Sequence, residues 1–359
     1  MERVLTRPRF LGAVGLVALA TSAFAVWVGL GIGGVRPTLW VDDGFTPIAA
    51  LIASALCWRA RTRHSGQMRL FWTLLGCATA CWTIAEIIWG YYALIANVAV
   101  PVVSWADLGY LSAIPVAVAA LVVHPATHGS GTRKARSVFD GLVVATALLF
   151  VSWTLVLGPL WRSSNPGTWA GIVGLAYPFG DVVIVFFIVL AIRGMTSGDR
   201  VSLWCLLAAL LVMALSDSTY TYLTASSSYT SPGLIDTGWF VAYLGIGLAA
   251  FASRPSGEAL RSPVHNRPSL ASLIAPLVPV LIALVVVAVE HSLGHHLDRA
   301  AWLMAFALVA LVLARQALIV FELLGPGNDS HDGPRARIRH PALQEDLAAP
   351  VRLGGYEPH

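Results

Sequence analysis

Apolar side chains in this chain neither alternate nor recur every third or fourth residue. They run in long blocks separated by short polar stretches. A helix needs roughly 17–25 residues to cross hydrocarbon. Ten blocks approach or meet that length: 10–31, 43–58, 69–95, 105–123, 137–158, 170–192, 201–223, 234–252, 270–290 and 299–321. Each is predicted to be a helix, because hydrocarbon forces every backbone N–H and C=O to find its partner inside the segment. The pattern therefore predicts an all-α, polytopic integral membrane protein of about ten transmembrane helices. The helical domain spans 1–324. The remainder, 325–359, is rich in Pro, Gly, Arg and Asp and is predicted to be a disordered cytoplasmic tail.

Composition agrees with that pattern. The chain is 57% hydrophobic and 12% charged, with a mean hydropathy of +0.73, against about 25% charged residues in a soluble domain. Cys57, Cys77, Cys81 and Cys205 all lie inside apolar blocks and imply no disulfide framework. The formal net charge of +4 is informative only loop by loop. Arg3, Arg7 and Arg9 precede the first block, and Arg59, Arg61, Arg63 and Arg69 separate the second from the third. Arg133, Lys134 and Arg136 follow the fourth, Arg193 and Arg200 the sixth, and Arg254, Arg261 and Arg267 the eighth. The alternate loops hold only Arg36, Arg162 and Arg299. Basic residues concentrate on cytoplasmic loops, so both termini are predicted to be cytoplasmic and the protein a multi-pass plasma-membrane protein. Ala23-Phe24-Ala25 resembles a leader-cleavage site, but the apolar run continues through Val26, Trp27, Val28 and Leu30, as an uncleaved span would.

Two stretches repeat. Asp107-Leu-Gly-Tyr-Leu matches Asp236-Thr-Gly-Trp-Phe, 129 positions later, and each opens an apolar block that stops at a residue–proline pair, His124-Pro125 or Arg254-Pro255. In the preceding blocks Arg69 stands 17 positions before Glu86, as Arg200 stands before Asp217. The copies are four spans apart, an even number, so a parallel duplication of spans three and four in spans seven and eight is expected.

Acidic residues gather at one end of this arrangement. A charge at bilayer depth costs about 2.5–3.5 kcal/mol even on the lenient insertion scale, yet Glu86, Asp107, Asp181, Asp217 and Asp236 are all predicted in the extracytoplasmic half, with no Lys or Arg at that depth. Such groups must be protonated, balanced by a cation or hydrated. At helix N-termini, Asp107 and Asp236 can equally act as caps. Pro178 and Gly180 are expected to loosen the sixth span beside Asp181. Tyr177, Trp239 and other aromatics lean towards the same face, whereas Trp58, Trp72 and Trp204 mark the inner one. Carboxylates beside aromatic faces suit a cation or amine. The candidate ligand-binding residues are therefore Glu86, Asp107, Asp181, Asp217, Asp236, Tyr177 and Trp239. His291, His295 and His296, with Glu290 and Asp298, occupy the short outer loop between spans nine and ten. They could bind a metal or simply be solvated, and no metal or other cofactor is expected.

No phosphate-binding loop, dinucleotide fingerprint or metalloprotease motif is present, so no enzymatic activity is expected. The motifs Ala176-Tyr-Pro-Phe-Gly-Asp181, Gly198-Asp199-Arg200 leading to Asp217 and Tyr220, Leu234-Ile-Asp-Thr-Gly-Trp239 with Tyr243, and Phe139-Asp140-Gly141-Leu142 carry a resemblance. Over residues 69–324 the chain resembles the multi-helix membrane sensory region that precedes GGDEF diguanylate cyclase and EAL domains in actinobacterial signalling proteins. The resemblance implies a membrane input module. Its departure is that the last span meets Gly325-Pro326-Gly327 and the tail, with no output domain. The expected function is a sensor or receptor-like protein that lacks its own output enzyme and has an acidic–aromatic cavity open to the outside. The alternative is a secondary transporter coupled to protons or cations. The expected partners are the lipid bilayer, a separate cytoplasmic signalling protein and a second copy of the chain, with no nucleic acid.

Overall fold

The computed structural model describes residues 8–98, 100–101, 103–127, 131–163, 169–194, 200–226, 228–254, 274–294 and 296–324. Arg3, Arg7, Arg261, Arg267, His295 and the tail 325–359 lie outside the described residues. Among those described, every regular element is helical. The elements are α1 (Pro8–Leu30), α2 (Val35–Thr62), α3 (Gly66–Gly90), α4 (Trp105–Val123), α5 (Gly131–Ser152), α6 (Gly158–Ser163), α7 (Trp169–Gly194), α8 (Arg200–Ala225), α9 (Asp236–Ala252), α10 (Val278–Ser292) and α11 (Arg299–Leu324). Wider π-helical turns extend α3 through Tyr91–Ala96 and α5 through Trp153–Leu157.

Eight helices among the described residues are long and apolar enough to cross a membrane, and α9 and α10 are shorter apolar helices of 17 and 15 residues. The chain is thus a polytopic α-helical membrane protein. Leu16, Leu19, Leu284, Leu303 and Phe306 are among the large apolar side chains left exposed, as hydrocarbon contact allows.

Six helices close into a ring in which α2, α3, α4, α7, α8 and α9 each pack against the next, and α9 returns to α2. Small side chains line these contacts: Ala49, Ala50, Ala53, Ala78, Ala113, Ala117, Ala120, Ala249 and Ala250 are wholly buried in the core. Lipid tails give apolar side chains no reason to prefer one another, so close backbone approach supplies the attraction between helices. Phe71, Trp72, Leu75, Ile184, Ile188, Leu203 and Tyr243 fill the spaces between them. Outside the ring, α1 packs on α9 and α2, while α5 lies on α7 and carries α10 and α11.

Three features depart from the sequence pattern. The second helix begins at Val35 rather than at 43, which places Asp42 and Asp43 two turns inside it. Pro178 does not break α7, which runs unbroken through Pro178 and Gly180 because neighbouring helices support it on both sides. Trp72 is not an interfacial residue: it is fully buried against Phe71, with ring centroids 4.7 Å apart, whereas Trp58 and Trp204 are exposed. Arg315 is also fully buried. Its Nε donates to Asp140 Oδ1 at 2.5 Å, and Arg193 Nε stands 3.3 Å from Asp140 Oδ2. One carboxylate therefore ties α5, α7 and α11 together at the arginine-rich end. Removing one member of a buried pair leaves an uncompensated charge, so Asp140→Ala is expected to destabilise the protein by about 3–5 kcal/mol. A melting temperature in detergent equal to that of the native protein would refute this.

Candidate functional site

The matched stretches fold into matched geometry. In α4, Ser104 N donates to Asp107 Oδ2 at 2.6 Å, and Ser104 Oγ accepts from Ala106 N at 3.2 Å, forming a reciprocal cap. At α9, Gly233 N donates to Asp236 Oδ2 at 2.7 Å. The second oxygen of each carboxyl takes a tyrosine hydroxyl: Tyr177 donates to Asp107 Oδ1, and Tyr229 to Asp236 Oδ1 at 3.1 Å. Each aspartate thus accepts a backbone N–H from three residues before it and a tyrosine hydroxyl at once. Tyr229, in the loop before α9, is held above its ordinary titration range by burial and then by the Asp236 charge.

The glycine two positions on serves the same end twice. A Cβ at Gly109 would stand 2.9 Å from Ala85 Cβ and 3.0 Å from Cys81 O, and one at Gly238 would overlap the Ser216 hydroxyl. Ala85 and Ser216 immediately precede Glu86 and Asp217. The glycines therefore let α4 and α9 lie close enough for the next aromatic to reach the acid on the neighbouring helix. Tyr110 hydrogen-bonds Glu86, and Trp239 Nε1 donates to Asp217 Oδ1 at 2.6 Å. Spans three–four and seven–eight thus share their contacts as well as their letters.

The remaining two ring helices add acids of their own. From α2, the Asp42 carboxyl lies beside that of Asp236, and the Asp43 carboxyl beside the Trp89 side chain. The Asp181 carboxyl on α7 lies beside that of Asp217. Across the ring, Tyr243 Oη of α9 donates to Glu86 Oε1 at 2.8 Å. Tyr220 sits among these groups, with Tyr229, Trp239 and Trp89 edge-on to its ring at centroid distances of 4.8, 5.8 and 6.2 Å. Each of those three rings meets a different carboxylate. Three buried carboxyl oxygens, Asp42 Oδ2, Asp43 Oδ2 and Asp181 Oδ2, have no hydrogen-bond donor.

All seven candidate residues therefore fall in one region, Glu86, Asp181, Asp217, Asp236 and Trp239 in its interior and Asp107 with Tyr177 at its α4–α7 edge. The sequence pattern missed Asp42 and Asp43, which are 3% and 9% exposed. The signal was present in Val35–Val41, a mostly apolar lead-in before the two aspartates, but their charges ended the hydropathy window too soon. Elsewhere, His291 and His296 are exposed, and no group of His, Cys, Asp and Glu among the described residues could hold a metal ion. A cavity of about 660 Å³ lies apart from the acids, between α5, α6 and the α10–α11 loop. At its wall Asp298 accepts from Trp153 Nε1 at 3.1 Å and pairs with Arg162 at 2.7 Å.

No family model, curated protein or solved structure matches the chain.

Tyr243→Phe keeps the ring packing but removes a donor from a buried carboxyl, so it is expected to cost about 1–3 kcal/mol, read from a thermal melt. Gly109→Ala is expected to destabilise more than Gly238→Ala. The first forces a methyl group onto backbone, whereas the second meets a hydroxyl that can rotate. Equal melting temperatures for the two variants would contradict this.

Proposed function

We propose that this chain is a receptor-like protein of the plasma membrane with both termini in the cytoplasm, and that its acidic–aromatic centre takes up protons or a small cation from the extracytoplasmic side. The observation that carries this reading is the charge imbalance of the centre. Asp42, Asp43, Glu86, Asp107, Asp181, Asp217 and Asp236 receive tyrosine, tryptophan, serine and backbone donors or lie beside one another. Among the described residues no Lys or Arg forms an ion pair with them. So many carboxyls out of water can persist only if positive charge arrives with the proton or with a bound cation. The basic loops at the opposite end of the bundle support the orientation.

The sensory role rests on the resemblance of residues 69–324 to membrane input modules. It is supported by the packing of α7, whose Asp181 belongs to the acidic centre and whose Arg193 belongs to the ion pairs that hold α11. A change at the centre can therefore reach α11, where a separate cytoplasmic partner would read it. In proteoliposomes, the fluorescence of Trp89 and Trp239 is expected to respond to external pH or to an added cation, and Asp217→Asn is expected to abolish the response. A flat signal across both titrations would sink the reading.

A secondary transporter is the second reading, favoured by one observation: two helix pairs with the same acid, glycine and aromatic contacts meet around a common centre, as in duplicated transporters. Vesicle uptake that disappears in both Asp181→Asn and Asp217→Asn would decide for transport.

A further inference from the structure

At the arginine-rich end of the bundle, α9 is held by side chains from its neighbours. A helix leaves its last four carbonyls without intrahelical donors, and here other elements meet those carbonyls or the chain just beyond. Ser202 Oγ of α8 donates to Ala249 O at 2.8 Å, and Arg63 of the α2–α3 turn donates to Ala250 O at 3.3 Å. The next residue of that turn reaches further: His64 Nε2 stands 2.5 Å from Arg254 O, two residues past the end of α9. The other ring nitrogen, His64 Nδ1, stands 2.8 Å from Ala60 O in the last turn of α2. One imidazole, 7% exposed, therefore lies between two carbonyl oxygens at the ends of two helices.

A neutral imidazole carries one N–H and one lone pair, so it donates to one of these oxygens and turns its lone pair on the other. Only the imidazolium donates to both. Helix C-termini carry partial negative charge and favour a cation. His124, the other buried histidine among the described residues, differs in this respect. Its Nδ1 accepts from Ala126 N at 3.2 Å, which requires a lone pair and no charge.

We propose that His64 is a proton-dependent clasp: as imidazolium it ties the α2–α3 turn to the end of α9, and on losing its proton it lets α9 go. The bond to Ala60 lies within four positions of one turn, whereas the bond to Arg254 joins elements 190 positions apart. A neutral ring keeps the local bond, which closes the shorter loop, so the loss falls on α9. The clasp is closed on the acid side and opens as the pH rises.

The Trp72 ring of α3 stands 6.3 Å from the His64 ring. The charged and titratable groups at this end of the surrounding elements are Arg59, Arg61 and Arg63 from α2 and its turn, Arg69 from α3 and His124 from α4. Arg200 from α8, Arg9 from α1 and Arg254 itself complete them. Arg61 lies over the Trp58 ring, 5.1 Å from its centroid. Among the described residues, every Asp and Glu on these helices belongs to the acidic centre at the other end. The two carbonyls favour the charged ring and the guanidinium groups oppose it, an opposition that makes the clasp releasable. Helix α9 carries Asp236 and Trp239 near its opposite end, so one helix has the acidic centre at one end and the clasp at the other. On the orientation proposed above, the clasp responds to cytoplasmic pH, and it stands whether or not the acidic centre takes up a ligand.

The test is amide hydrogen exchange of the full chain in lipid nanodiscs, corrected for the intrinsic pH dependence of exchange, together with nitrogen-15 spectra of the histidine rings. Histidine changes charge between about pH 5 and 8. Across that range, exchange at 249–254 is expected to quicken by about tenfold or more, the loss of one charge-assisted hydrogen bond. At the acid end, a ring with both nitrogens protonated is expected, and its signal is expected to be missing from His64→Gln. His64→Gln is expected to exchange fast at every pH. His64→Arg keeps a cation that does not titrate in this range and is expected to lose the pH dependence, whereas His124→Gln is expected to retain it. Asp217→Asn, which removes an acid of the centre, is expected to leave the response of 249–254 unchanged. Exchange at 249–254 that is flat with pH in the native protein would overturn the proposal without any variant, as would a His64 ring with one bare nitrogen throughout. A native pH response that survives in both His64→Gln and His64→Arg would overturn it as well.

Discussion

A carboxyl group removed from water must find hydrogen-bond donors or give up its charge, and much of this structure is organised by that demand. Seven acidic side chains sit at one end of an apolar helical bundle, and most of them are met by a donor delivered from a defined place. Asp107 and Asp236 take backbone N–H groups at their own helix starts and tyrosines from elsewhere. Glu86 and Asp217 take aromatic donors from the helix that follows. Asp42 and Asp181 lie beside the carboxyls of Asp236 and Asp217. The result is a network whose members depend on one another, which is the condition under which buried polar groups specify a single arrangement.

Delivery of those donors depends on how closely the backbones approach. Gly109 and Gly238 bring α4 and α9 against α3 and α8, and a Cβ at Gly90 would stand 2.9 Å from the carbonyl of Asp43. Buried alanines do the same along the rest of the ring. Close packing of small residues supplies helix–helix attraction in hydrocarbon, and here the same choice brings a tyrosine or indole within hydrogen-bonding distance of a carboxylate. Stability and the chemistry of the centre are therefore served by the same residues. The opposite end of the bundle solves the burial problem differently, with Asp140 paired to Arg315 and Arg193 so that charge is cancelled internally.

Much of the architecture was legible in the chain. Long apolar blocks follow from the dimensions of a bilayer. The repeated Asp-x-Gly-aromatic start also carried real geometric content, since all three of its marked positions have the same job in both copies. Asp42 and Asp43 escaped because charges lower local hydropathy whether they lie inside a helix or at its edge. Trp72 was misplaced for a related reason: a residue type that favours interfaces on average can be wholly enclosed when neighbouring helices supply partners.

By itself the sequence determined the class of the protein, the approximate helices, the duplicated landmarks and the gathering of acids at one end. These depend on the order of polar and apolar residues along a single segment and on spacings within it. The tertiary structure alone decided that α2 and α9 close the ring, that Tyr243 reaches Glu86 across it, and that Asp42 and Asp181 join the acids of the centre. Those contacts join residues far apart in the chain, and what selects them is the close approach of backbones and the scarcity of donors in hydrocarbon, neither of which is written in any one segment.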